Sequence, residues 1–201
     1  CDTLCLDKTG TITDGEMILE KVIPLKETKY NIEEIMGDFL SCFEDQNVTS
    51  IALSKKYKAV NKFKVINKLP FSSTRKLSAV EFENVGTLIL GAPEFIIEDK
   101  NILDQVEEYT KSGCRVLLLA KSETPLSEFK KYEPVEAVCL FVLIDHIREE
   151  AYDTIKWFND NDVDIKIISG DNPLTVSQIA KKVGVKNADN YISLDDLSDE
   201  E

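Results

Sequence analysis

No apolar stretch in this 201-residue chain approaches the roughly 20 residues that a membrane-spanning helix needs. The longest, Ala137–Ile144 (AVCLFVLI), has the length of a strand. Basic charge is scarce too. Lys and Arg number 24 against 37 Asp and Glu, giving a formal net charge of −13. That deficit argues against a nucleic-acid surface and against docking on anionic lipid. A phosphate ligand must therefore be met by locally placed donors. The five cysteines, Cys1, Cys5, Cys42, Cys114 and Cys139, form no CxxC and no zinc-type spacing. They read as reduced thiols of a cytosolic compartment. Internal repeats and low-complexity segments are absent.

What is present is a foldable chain. Hydrophobic residues make up 43%, enough to bury a core. Thr3–Asp7 (TLCLD) is a short β-prone run ending on an acid. Ile32–Phe43 and Val48–Ala59 have helical spacing, with Asn31 and Asn47 as candidate N-caps. The period then changes to two in Phe63–Leu69, Lys76–Glu83 and Thr87–Gly91, with a turn at Asn84–Gly86. Pro93–Glu98 and Asn101–Lys111 read as helices, and Arg115–Ala120 as a buried strand. Glu123–Pro134 reads as a linker.

From Val135 the pattern becomes β-α-β-α: strand Ala137–Ile144, helix Glu149–Asn159, strand Val163–Ile168 and helix Pro173–Val183. The expected fold class is α/β. An incomplete parallel sheet, built from 1–14 and 135–201, is split by an inserted α+β domain, 15–134, with an antiparallel sheet. The chain begins within a strand and ends in LDDLSDEE, which resembles the start of a helix, so it is expected to be a piece of something longer.

Parallel sheets bind ligands beyond the carboxyl ends of their strands. Three expected strands end in polar residues there: Asp7, Asp145, and Ser169-Gly170-Asp171. If the strands are neighbours, the three endings share one rim. Asp7 is then a candidate nucleophile, since a carboxylate can attack a phosphoryl group. Gly10 allows a close turn, while Thr9 and Thr11 offer hydroxyl and main-chain donors. Ser169, Gly170 and Asp171 precede a helix N-terminus, which favours phosphate. Asp-Lys-Thr-Gly is also ordinary turn chemistry. His146 reads as a rim residue rather than a ligand. Trp157 reads as packing against the sheet, and the terminal acids read as a solvated helix start.

Asp7–Thr13 (DKTGTIT) resembles the phosphorylation motif of P-type ATPases. Further matches follow in order: PFSSTRKLSAV at 70–80, GAPE at 91–94, GCRVLLLA at 113–120, DHIR at 145–148 and ISGDN at 168–172. The resemblance covers essentially the whole chain and implies the cytosolic portion of a bacterial E1–E2 cation pump. It implies a haloacid-dehalogenase-type phosphorylation domain carrying an inserted nucleotide-binding domain. ATP is then the substrate and Mg²⁺ the cofactor. Asp7 is the phosphorylated residue, and Asp7 and Thr9 help to hold the metal. Thr11, Ser169, Gly170 and Asp171 serve the phosphoryl end. Phe71 stacks on adenine, with Lys76, Gly91 and Ala92 beside it. Arg115 and Arg148 reach phosphates or ribose. Implied partners are the transmembrane and actuator domains and a transported cation, with Ca²⁺ suggested by subgroup resemblance; nucleic acid is not among them. The implied location is the cytoplasmic face of a membrane.

Two departures bear on the nucleotide. Leu90 stands where the family has the lysine of KGA, and Ser50 where many pumps have an acid. Both imply weaker or rearranged ATP binding. The family's later GDGxND segment has no counterpart here, so the chain alone is expected to phosphorylate poorly. A phosphatase of the same superfamily is the rival enzyme. Its second Asp, a general acid/base, is replaced here by Thr9, which has no useful pKa. An inert nucleotide-binding module is the rival from another class.

Overall fold

A computed structural model describes residues 2–44, 47–128, 134–171 and 173–193. The expected acidic helix start at 194–201 and the Asn of ISGDN lie outside the described residues. The chain divides by packing into two units. Unit 1 contains residues 1–16, 110–114 and 145–201, and unit 2 contains 17–109 and 115–144. The divisions expected from sequence were at 14/15 and 134/135.

Unit 2 is built on a six-stranded sheet of order β2-β7-β6-β5-β4-β3. Its strands are β2 (Thr13–Pro24), β3 (Val65–Leu69), β4 (Leu77–Phe82), β5 (Gly86–Gly91), β6 (Arg115–Ser122) and β7 (Glu136–Ile147). Pairing is antiparallel from β3 through β7. The apolar strand expected in the parallel sheet is β7, and it pairs antiparallel with β6 instead, Leu118 opposite Leu140. A continuous apolar run signals burial on both faces, which a central strand has in either kind of sheet. β2 was not foreseen at all. Its burial alternates only loosely along TDGEMILEKVIP, so it carries little period-two signal.

Helices α1 (Ile32–Ser41) and α2 (Val48–Lys56) cover this sheet. Asn31 and Asn47 cap them as expected, their side chains accepting from the N–H groups of Glu33 at 2.8 Å and Ser50 at 3.0 Å. The core joins Met36, Phe39 and Leu53 of the helices to Phe82, Leu88, Leu119, Phe141 and Leu143 of the sheet. Two neighbouring α1 residues clamp the segment leading to β3. Gly37 lies so close to it that an added Cβ would come within 2.0 Å of the Lys58 carbonyl oxygen. Asp38, buried, accepts from the backbone N–H groups of Val60, Asn61 and Lys62 at 2.7 Å and of Phe63 at 3.0 Å. Burial alone would raise its pKa, but these four hydrogen bonds outweigh that and hold the carboxyl below its ordinary value. After β5, Pro93–Phe95 forms one 3₁₀ turn, shorter than the helix expected at 93–98. Then α3 (Lys100–Lys111) follows.

Unit 1 contains β1 (Thr3–Asp7) paired in parallel with β8 (Asp164–Ile168), together with α4 (Glu149–Asp160) and α5 (Pro173–Lys182). One face of the pair, through Leu6, Ile165 and Ile167, packs on Ala151, Ile155, Ile179 and Val183. On the other face Thr3, Cys5, Asp7 and Lys166 are exposed. Gly184, at φ +87°, ends α5 in the left-handed conformation, with the Val185 N–H donating to Ala180 at 3.0 Å. Trp157 does not pack against the sheet. It is 60% exposed and meets Phe158 edge to face. The buried stripe of α4 runs through Ala151 and Ile155, one turn apart, and Trp157 falls outside it.

Candidate functional site

Strand alternation decides which way the DKTGT acid and lysine face. Asp7 ends β1 exposed, opposite Ile168 of β8. Lys8, the next residue, turns under the rim and is 3% exposed. Its Nζ donates to Asp145 Oδ2 at 2.6 Å and sits 2.5 Å from Asp171 Oδ2. Burial works against an ammonium here, but the hydrogen bonds and charges of Asp145 and Asp171 outweigh it and raise the Lys8 pKa. The three expected endings are therefore brought together, although only two belong to the parallel pair. Asp145 arrives from β7 and is held through Lys8. Lys8 was not among the candidate residues. Its signal was its place immediately after Asp7: where one side chain of a strand end faces out, the next faces in.

The turn that follows is closed on Lys8. Its carbonyl accepts from the N–H of Ile12 at 3.1 Å and of Thr13 at 3.0 Å. Thr9 and Thr11 are exposed along it. Gly10 has φ +83°, and an added Cβ would meet no atom within 4 Å. The same openness holds at Gly170. Ser169 Oγ accepts from the Asp171 N–H at 3.2 Å, which orders the SGD turn just ahead of α5. Arg148 belongs to this group as well, its Nη2 donating to the Gly10 carbonyl at 3.1 Å. Asp7, Thr9, Gly10 and Gly170 thus present one carboxylate and open backbone around a turn fixed from below. Hard oxygen donors, the Asp7 carboxylate and the Thr9 carbonyl, are of the type that Mg²⁺ takes when it shares phosphate oxygens and water. Among the described residues no group of three or more His, Cys, Asp or Glu forms a complete metal cage.

The other candidates lie in unit 2. Lys76, at φ +57°, donates its N–H to Ser72 at 2.8 Å and accepts from the Ala92 N–H at 3.0 Å. Gly91 is needed there: a Cβ would stand 2.5 Å from the Lys76 carbonyl oxygen. Lys76, Gly91 and Ala92 are in direct contact, and half-exposed Phe71 begins the turn that leads to them. Arg115 opens β6 and donates to Thr49 Oγ1 at 3.0 Å. Leu90 is buried in the core, and Ser50 binds its own cap residue, Asn47, through both N–H and Oγ. A cavity of about 590 Å³ in unit 2, lined by Lys26, Tyr30, Ile35, Val85, Lys121 and Glu136 among others, contains none of these candidates. It opens at the Asn84–Gly86 end of β4 and β5, whereas Lys76, Gly91 and Ala92 mark the opposite end.

Residues 1–199 match the family of haloacid dehalogenase-like hydrolases. The chain belongs to that family. As a haloacid dehalogenase-like hydrolase it has relatives among cation-transporting ATPases. It is 41% identical, across all of its length, to a probable cation-transporting ATPase, exp7, of Streptococcus pneumoniae, and spans 26% of that protein. It is 30% identical over 92% of its length to the calcium-transporting ATPase CtpE of Mycolicibacterium smegmatis, spanning 23% of it. The chain therefore spans about a quarter of the length of the curated relatives it matches. Among solved structures, a zinc-transporting PIB-type ATPase in the E2.Pi state superimposes with a TM-score of 0.66 at 18% identity. That match covers 92% of this chain and 28% of the other, and shows a shared fold. The likeness to cation-transporting ATPases read from DKTGTIT is matched by relatives of that name.

Proposed function

We propose that this haloacid dehalogenase-like chain is the ATP-binding and phosphorylation portion of a P-type ATPase that drives a cation across a membrane. The observation that carries the reading is the exposed Asp7 carboxylate beside the open backbone of Gly10 and Gly170, on a rim whose two other acids are engaged by Lys8. An Asp7 Oδ attacks the γ-phosphorus of ATP. The new O–P bond forms as the bond to the β,γ-bridging oxygen breaks, and ADP leaves with that electron pair. Water later hydrolyses the aspartyl phosphate. Thr9, Thr11, Ser169, Gly170 and Asp171 hold the phosphoryl group. The Asp7 carboxylate and the Thr9 carbonyl would hold Mg²⁺, which would supply charge neutralisation between carboxylate and phosphate.

In unit 2, Phe71 stacks on the base, with Lys76, Gly91 and Ala92 around it and Arg115 toward the phosphates. Arg148 acts on the turn through Gly10. The phosphorylation role falls to unit 1 and the nucleotide-binding role to unit 2. Transmembrane and actuator domains are the proposed partners, and the cytoplasmic face of the membrane the location. Ca²⁺ is the proposed cation, on the strength of the calcium-transporting relative.

The test is acyl-phosphate formation from γ-labelled ATP in the full-length protein. Asp7→Asn is expected to abolish the hydroxylamine-labile label. Phe71→Ala is expected to keep it but to require about tenfold or more ATP, since a base stacked on an aromatic ring contributes about 1–3 kcal/mol. Label persisting in Asp7→Asn would overturn the reading.

A further inference from the structure

The cavity of about 590 Å³ in unit 2 has walls of two kinds. Its floor is the end of the apolar core: Ile35 of α1, Val85 and Leu88 at the β4–β5 hairpin, Leu119 of β6 and Val138 of β7. Its mouth carries charged residues from the segment after β2 and from the strand ends. Sites for small molecules have volumes of roughly 300–1,000 Å³, with mostly apolar walls and a few placed polar groups. This cavity lies at the opposite end of β4 and β5 from Lys76, Gly91 and Ala92.

One of those charges stands where a strand in a core normally carries an apolar side chain. Alternate residues of a strand share a face, so Lys121 continues the row of Leu117 and Leu119 along β6. It lies between Leu88 of β5 and Glu136 of β7. Gly86 leaves room beside it: an added Cβ would stand 3.4 Å from Lys121 Cε. Lys121 Nζ sits 2.7 Å from Glu123 Oε1, and the two partners are unequally placed, with 23% of the lysine side chain exposed and 83% of the glutamate. A ligand anion that displaced Glu123 would send it into water, where most of it already is. A ligand cation that took Glu123 would leave the mostly buried ammonium without its partner, at a desolvation cost. The asymmetry selects an anion. Lys26 and Lys29 add ammonium groups at the mouth, and Lys26 engages Glu136, whose carboxyl it holds below its ordinary pKa. A small polyanion would leave the apolar floor uncovered, and the net charge of −13 opposes it more than it opposes a single negative charge.

We propose that this cavity is a binding site for an apolar monocarboxylate, such as a free fatty acid of medium chain length. Its hydrocarbon covers Ile35, Val85, Leu88, Leu119 and Val138, and its carboxylate takes the place of Glu123 on Lys121. The site goes beyond the nucleotide reading and does not rest on it.

Titration of the chain with octanoate, followed by methyl chemical shifts, tests the site. Octanol and octylammonium are the comparison probes, with the same apolar chain but a neutral or positive head. Octanoate is expected to shift the methyl groups of Ile35, Val85, Leu88, Leu119 and Val138 saturably, and to bind more tightly than octanol, with octylammonium weaker still. Lys121→Met should weaken octanoate about tenfold, as the loss of a hydrogen bond to a charged group implies, and leave octanol unchanged. Glu123→Gln, at an exposed position, removes the competing carboxylate and should tighten octanoate. The absence of saturable shifts at the five cavity residues would overturn the proposal. So would octanol or octylammonium binding as tightly as octanoate, or octanoate binding that ignores either substitution. Equal shifts at Ile155, Ile165 and Ile179 of unit 1 would also overturn it, since they would mark unspecific adsorption.

Discussion

Unit 2 and unit 1 solve the same problem by different means. Unit 2 closes a six-stranded sheet over a large apolar core, in which β4 and β5 are buried almost throughout. Unit 1 has a two-stranded parallel pair and, among the described residues, a small core around Ile12, Ile155, Ile165 and Ile179. Its loops are held by polar contacts: Lys8 with two acids, Asp14 with His146, and Arg148 with Gly10. Hydrophobic burial is non-directional and tolerates exchange, whereas hydrogen-bonded charges demand particular partners in particular places. The unit with the candidate nucleophile is the one held by directional contacts.

The comparison breaks most visibly in unit 2. Phe39 is fully buried between α1 and the sheet. Phe39→Ala is expected to destabilise unit 2 by about 3–5 kcal/mol. Hydrogen exchange resolved by residue should show faster opening of β4 to β6 with little change in β1 and β8. If both units weaken together, they are one cooperative body and the contrast fails.

Lys8→Met tests the other side. It leaves Asp145 and Asp171 facing each other without a cation. Breaking a fully buried pair costs roughly 3–5 kcal/mol, and the half-exposure of Asp171 reduces this to about 2–4 kcal/mol. The loss should appear in β1, β8 and α5, read by the same exchange experiment. Stability unchanged in unit 1 would mean that its small apolar core suffices.

Asp38→Asn sharpens the contrast by placing a polar anchor inside the apolar unit. All four amide hydrogen bonds lose the carboxylate charge, and two of the donors then face an NH2 in place of an acceptor, for an expected cost of roughly 1–3 kcal/mol. The pH dependence has a definite sign. The folded pKa of Asp38 is depressed, so its contribution is present above the unfolded value of about 3.9 and is lost as pH falls through the folded value. Urea unfolding of unit 2 at stepped pH should show this acid loss in the wild type and less of it in Asp38→Asn.

Most elements with a clear period were legible. Both Asn caps, the hairpin at Asn84–Gly86, and the turns that follow Asp7 and Ser169 all carry local signals. What was not legible depended on partners distant in sequence. β2 alternates weakly, and β7 looks the same whether it joins a parallel or an antiparallel sheet. Lys8 meets Asp145 across 137 positions. Asp38 left one trace that could have been read: an acid on the apolar side of α1, next to Phe39 and three residues after Ile35. A charge there requires buried partners. Trp157 misled because aromatic residues in amphipathic helices usually face the core, and the helical phase overruled that habit.

Lys8 has a further meaning for how an anion would arrive. Two acids that would otherwise repel phosphate share its charge, so the rim is less acidic than its carboxylates alone would make it, while the chain as a whole carries −13. The long-range field slows an approaching polyanion, and Lys8 softens the repulsion that it meets at the rim. Such fields are screened beyond about 8 Å at physiological ionic strength. Salt would thus quicken the encounter of a nucleotide with this protein, the reverse of the behaviour of a site that captures its ligand with a surplus of positive charge.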